Sequence, residues 1–114
     1  MNTIRIHIGY ICVDSGQIIL GDPAYLKEWG GHEYHVNRPG EYSYAGACSA
    51  TMTTGAGILG NVGSHPNGSW GSENNGMPTG LAAAVATGYG DGCYPVIVTY
   101  NDSGRISAVS VLFE

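Results

Sequence analysis

The sequence is short of charge. Of its 114 residues only four are Lys or Arg and nine are Asp or Glu, 11% in all, where an ordinary soluble domain carries about 25%. Arg5, Lys27, Arg38 and Arg105 are the whole supply of Lys and Arg, and the net charge is −5. A surface that follows a phosphate backbone needs many cationic contacts, so polymeric nucleic acid is excluded as a partner. No stretch of about 18 apolar residues exists, which excludes a membrane-spanning helix. Cysteine is also sparse: Cys12, Cys48 and Cys93 are widely spaced, with no Cys-x-x-Cys pair. They read as reduced, buried thiols rather than a secreted disulfide framework. The first residues alternate polar and apolar and lack a basic stretch followed by an apolar run, so no secretory signal is expected. Both observations point to the cytoplasm.

Glycine is what the chain has in excess, nineteen residues of 114, where about 7% is usual. Apolar content is 43%, with eight Tyr and two Trp. Disordered chains lack such residues, so this one folds. The glycines have no period of three, which excludes collagen. The length fits a single domain, residues 1–114, with a core that requires neither metal nor disulfide, and no cofactor is expected.

Residues 3–13 alternate Ile4, Ile6 and Ile8 with polar residues and then change phase at Gly9, the pattern of a strand bent there. Asp14, Ser15 and Gly16 suit a hairpin turn leading into a second strand over residues 17–20. Asp22 as cap and Pro23 in the first helical position predict a short helix near residues 23–29, stopped by Gly30 and Gly31. Residues 41–47 and 48–54, rich in Tyr and Thr, are predicted as strands. A long loop runs over residues 55–80, with a short strand around residues 57–60. Residues 81–87 form a strand whose alanines let another layer come close. Together with residues 93–100 and 105–113 it is expected to build a three-stranded meander, the last turn being Asp102, Ser103 and Gly104. Pro95 belongs near an edge or bulge. The fold class is all-β or a β-rich α+β, a small antiparallel sandwich or barrel with one short helix.

The residues able to do chemistry gather at the turns. Gly88, Tyr89, Gly90, Asp91 and Gly92 form a backbone that turns sharply and presents N–H groups, a way to hold an anion without Lys or Arg. Tyr89 and Tyr94 offer rings for stacking. Asp91 either bonds neighbouring amides within a tight turn or meets a ligand. Trp70 and His65 in the long loop, with Arg38, complete the candidate ligand-binding set. As an enzyme, the chain would rest on His65 with Asp22 or Asp91 as acid and base, although Asp22 also suits a helix cap. His32 and His35 have the spacing to share a metal, but no further His or Cys lies nearby to complete the set, so no metal is assigned. Cys48 fits a small core residue better than a nucleophile. Residues 51–57 lack the lysine of a phosphate-binding loop. Eight Tyr against one Phe suit a recognition surface or a subunit interface, and a homo-oligomer is expected.

Val13-Asp14-Ser15-Gly16, then Gly21-Asp22-Pro23 followed by Tyr25, then Gly88-Tyr89-Gly90-Asp91-Gly92-Cys93-Tyr94-Pro95-Val96 before a terminal strand, resemble an uncharacterised family of small proteins found in phage genomes and some bacteria. The resemblance covers roughly residues 1–28 and 80–114. Members of that family usually carry Cys after Asp-Pro, where this chain has Ala24. The resemblance implies a small phage-type β protein in the cytoplasm of an infected bacterium, and brings no activity with it. Joined to the composition, it leads to an expected role in sequestering a small polar ligand, a nucleotide-derived immune signal, as an anti-defence sponge. The alternatives are a phosphodiesterase acting on such a signal and a module that binds a host protein.

Overall fold

The computed structural model describes residues 3–31, 33–60 and 77–114. Its elements in chain order are β1 (Ile4–Val13), β2 (Gln17–Gly21), a 3-10 helix (Pro23–Glu28), α1 (Tyr44–Thr53), β3 (Ala56–Leu59), β4 (Ala82–Ala86), β5 (Gly92–Tyr100) and β6 (Ile106–Val111). The strands form two antiparallel three-stranded sheets, ordered β1-β5-β6 and β2-β4-β3. The strand-rich class is as the sequence indicates, and neither sheet closes into a barrel. The chain divides into two compact units: one holds the segments up to Gly16 and from Thr87 onward, the other Gln17–Ala86. Among the described residues, no helix is long and apolar enough to cross a membrane.

In the first unit β5, rich in β-branched residues, is the central strand. It pairs with β1 from Ile4 opposite Tyr100 to Val13 opposite Gly92, with a register shift at Gly9. The bend expected there is thus a β-bulge. On its other side β5 pairs with β6 from Val96 opposite Val111, and the two are joined by the expected turn. Asn101 organises that turn, its side-chain oxygen accepting from the amides of Ser103 at 2.9 Å and Arg105 at 3.1 Å. Pro95 lies just past the last β5–β6 pair, and its carbonyl accepts from Leu112 at 3.1 Å. A strand residue's N and O point the same way, so the missing donor faces the place where β6 has already ended.

Two expected pairings are corrected. β1 and β2 do not form a hairpin around residues 14–16, because β1 spends its length on β5 while β2 pairs with β4. Likewise β4 is no part of a meander with β5, being central in the other sheet between β2 and β3. Gly16 still has the positive φ expected of it, 72°. Its carbonyl accepts from Thr87 at 3.0 Å, so it marks a change of direction rather than a hairpin tip.

The second unit corrects the reading of residues 41–54 as strands, since residues 44–53 are the helix α1. Ser43 caps it by accepting from the Gly46 amide at 3.0 Å and donates to the Glu41 carboxylate at 2.7 Å. That cap and the helix preference of Ala45, Ala47 and Ala50 outweigh the strand preference of Tyr and Thr. Gly46 is required by closeness: a Cβ there would stand 1.8 Å from the Glu41 carbonyl oxygen. The expected 57–60 strand is β3. As anticipated, the alanines of β4 admit another layer: Ala82 and Ala84 are buried in one cluster with Ala47 of α1, Leu59 and Tyr42. Trp29 meets Tyr42 edge to face at 5.2 Å. Gln17 bridges to α1, donating to Cys48 Sγ at 3.2 Å and accepting from the Thr51 hydroxyl at 3.1 Å. The helix expected near residues 23–29 is the 3-10 helix, capped by Asp22 and opened by Pro23.

Candidate functional site

The turn between β4 and β5 is held by a residue that turn chemistry alone does not single out. Thr87 is 3% exposed. Its hydroxyl donates to the Gly90 carbonyl at 2.8 Å and accepts from the Tyr89 amide at 3.3 Å. The Tyr94 hydroxyl also donates to the Gly90 carbonyl, at 2.6 Å, and lies 3.4 Å from Thr87 Oγ1. Gly88 and Gly90 both have φ of 79° and Gly92 has 152°, values that only glycine adopts at little cost. Local sequence therefore dictates the turn's path, and two hydroxyls from its base fix it.

The predicted site residues part company here. Tyr89 stands at the tip, 72% exposed. Asp91 is exposed and makes no hydrogen bond or ion pair among the described residues. Thr87, rather than Asp91, bonds the neighbouring backbone. Tyr94 is 4% exposed, its ring edge-on to Phe113 at 5.4 Å, so it holds the turn from inside while Tyr89 presents a ring face. A signal for this existed in the sequence: Thr87 and Tyr94 bracket the glycines, placing a hydroxyl on either side of the turn.

Arg38 belongs to the second unit, where it pairs with Glu41 at 3.5 Å and its amide donates to Ser49 at 3.1 Å. His65 and Trp70 lie outside the described residues. Asp22 accepts from the Ala24 amide at 2.9 Å as a helix cap and borders a small cavity of about 170 Å³ with Ile19, Pro23 and Tyr42. Of the proposed acid–base residues, Asp22 and Asp91 fall in different units. A second cavity, of about 450 Å³, is lined by Tyr34, Val36, Pro39, Ser49 and Met52 and contains none of the predicted ligand residues.

His35 stands 3.1 Å from Glu33, while His32 is outside the described residues. No group of three His, Cys, Asp or Glu able to hold a metal occurs among the described residues. Of the three cysteines expected to be buried and reduced, two depart from that expectation: Cys12 and Cys93 are exposed, and only Cys48 is half-buried. Neither a curated protein nor a solved structure matches the chain. One family does, over residues 8–111, nearly the whole sequence. On that match the chain belongs to the family described as "Protein of unknown function (DUF4241)".

Proposed function

We propose that the protein binds a small polar ligand bearing a flat ring, a nucleotide-like molecule, at the tip of the turn between β4 and β5, and retains it unaltered. The observation that supports this is the exposed ring of Tyr89 on a turn whose backbone Thr87 and Tyr94 already fix. An aromatic presented this way stacks on a planar ligand at little entropic cost. Asp91 beside it supplies a carboxylate for ring amino groups or sugar hydroxyls. Positive φ at Gly88 and Gly90 suits a turn whose amides other than that of Tyr89, which Thr87 holds, receive an anion without Lys or Arg. In a phage-infected bacterium the ligand of this class is a nucleotide-derived immune signal. The protein then acts there as a cytoplasmic sponge, with copies of the chain joining to enclose the ligand.

The test is retention. The protein is incubated with cyclic and linear nucleotides, filtered to remove free ligand, and heated. Release of intact nucleotide is the expected result, with Tyr89→Ala and Asp91→Asn each lowering retention about tenfold or more while stability moves by no more than about 0.5 kcal/mol. Failure to retain any nucleotide at saturating concentration overturns the reading. An altered product replaces it with the phosphodiesterase.

A further inference from the structure

Cys12 and Cys93 come from opposite parts of the sequence, yet they face each other across the β1–β5 ladder, one pair away from Val13 and Gly92, where the turn ends. Their sulfurs lie 2.9 Å apart and both residues are exposed. Facing residues of antiparallel strands have Cα atoms about 4.5–5.5 Å apart, inside the about 4.4–6.8 Å that a disulfide spans. The Cα spacing of the ladder is therefore compatible with joining them. A metal is a poorer use of the pair, because no third ligand accompanies it among the described residues.

We propose that Cys12 and Cys93 form a cross-strand oxidation site. A small-molecule disulfide of the glutathione type converts them to a disulfide that ties β1 to β5 at the base of the turn. One thiolate attacks the reagent's S–S bond, forming a mixed disulfide and releasing one reagent thiolate. The second cysteine, as thiolate, attacks the protein sulfur of that mixed disulfide and expels the other reagent thiolate. The two protein sulfurs are oxidised, the reagent disulfide is reduced to two thiols, and the two cysteine protons end on them. The Cys93 thiol is pushed above its ordinary value, first by its hydrogen bond to Cys12 and then by desolvation and the charge of Cys12; mildly alkaline solution therefore favours the exchange. The bond would close the chain from residue 12 to residue 93, around the whole second unit. Closing so long a loop restricts the unfolded chain and raises stability.

The experiment treats the purified full chain with oxidised glutathione at about pH 8.5, blocks remaining thiols by alkylation, and records the intact mass, a chymotryptic map and the Tm. Chymotrypsin is needed because no Lys or Arg separates Cys48 from Cys93. The expected product has lost two hydrogens, is alkylated once, at Cys48, and yields a cross-linked peptide joining Cys12 to Cys93. Its Tm is higher by about 5–15 °C. Cys12→Ser and Cys93→Ser are each expected to stop at the glutathione adduct, for want of the second thiol. Should either variant fail to fold, the map of the unsubstituted protein decides alone. Three alkylated cysteines, an adduct that persists on the unsubstituted chain, or a cross-link through Cys48 would overturn the site; a Cys12–Cys93 bond with unchanged Tm would overturn its action as a clamp.

Discussion

The hydroxyl of Tyr94 donates to the carbonyl oxygen of Gly90 across 2.6 Å, from a ring that is itself enclosed against Phe113. A strand thus reaches back to hold the turn that leads into it. The Gly90 carbonyl receives a second donor, the Thr87 hydroxyl at 2.8 Å, so the two hydroxyls share one acceptor.

This sharing sets the effect of removing either. Tyr94→Phe keeps the packing on Phe113 and leaves Gly90 one donor, so it costs about 1 kcal/mol. Thr87→Val also takes the acceptor from the Tyr89 amide and costs more, about 2 kcal/mol, with Thr87→Ser recovering most of it. Urea denaturation measures the losses. The double variant should exceed the sum by about 0.5 kcal/mol or more, since only then is the Gly90 carbonyl left without either donor; strict additivity would mean that the two hydroxyls do not act on a common group.

The glycine of this turn is a separate test. Gly90 has φ of 79° and open space where a Cβ would sit. Gly90→Ala is therefore disfavoured by backbone conformation alone, by about 1 kcal/mol, and Gly90→Asn by less, since Asn tolerates the left-handed region. Equal losses for the two, read from thermal denaturation, would show that crowding rather than φ governs the position.

Features fixed within a few residues were legible in the sequence. Gly9 marks the bulge, Asp22 and Pro23 open the short helix, and Asp102, Ser103 and Gly104 turn the last hairpin, because each is decided by local φ or by one side chain bonding nearby backbone. The misreadings concern what pairs with what. Residues 14–16 have hairpin composition, yet β1 finds a longer partner in β5 some eighty positions away, which turn chemistry cannot weigh. The same distance hid the meeting of Cys12 with Cys93. Helix α1 was obscured by Tyr and Thr, whose strand preference is settled by packing rather than by the backbone itself; Ser43 was the available signal. At the candidate site the glycines and Tyr89 were legible, whereas Thr87 showed only as one of two hydroxyls flanking them, because threonine is no usual turn residue.

Gly46 has a different constraint from the turn glycines. Its φ is unremarkable, but a Cβ would overlap the Glu41 carbonyl oxygen at 1.8 Å and the Glu41 carbonyl carbon at 2.7 Å. These are backbone atoms just before the helix cap and cannot swing aside. Alanine is ordinarily better than glycine inside a helix by about 1 kcal/mol; here Gly46→Ala is expected to destabilise by about 3 kcal/mol. Far-ultraviolet circular dichroism on heating reads the result, and a gain in Tm would refute the close approach.

Ser43 offers the sharpest test of how α1 begins. It is fully buried, accepts from the Gly46 amide at 3.0 Å and donates to Glu41 Oε2 at 2.7 Å, so it acts as acceptor and donor at once. Ser43→Ala loses both bonds and should cost about 1–2 kcal/mol. Thr keeps both functions. Asp is among the best N-caps in general, but an ionised Asp has no proton to donate and would bring a second carboxylate against Glu41 in a buried place, where like charges repel strongly. Ser43→Asp is therefore expected to be less stable than Ser43→Thr at neutral pH, against the usual ranking, and Glu41→Gln should restore part of the loss by replacing repulsion with an amide that can donate. Guanidinium denaturation of the Ser43→Asp variant with and without Glu41→Gln measures the coupling; an aspartate cap as stable as the threonine one would show that Glu41 does not face the helix start.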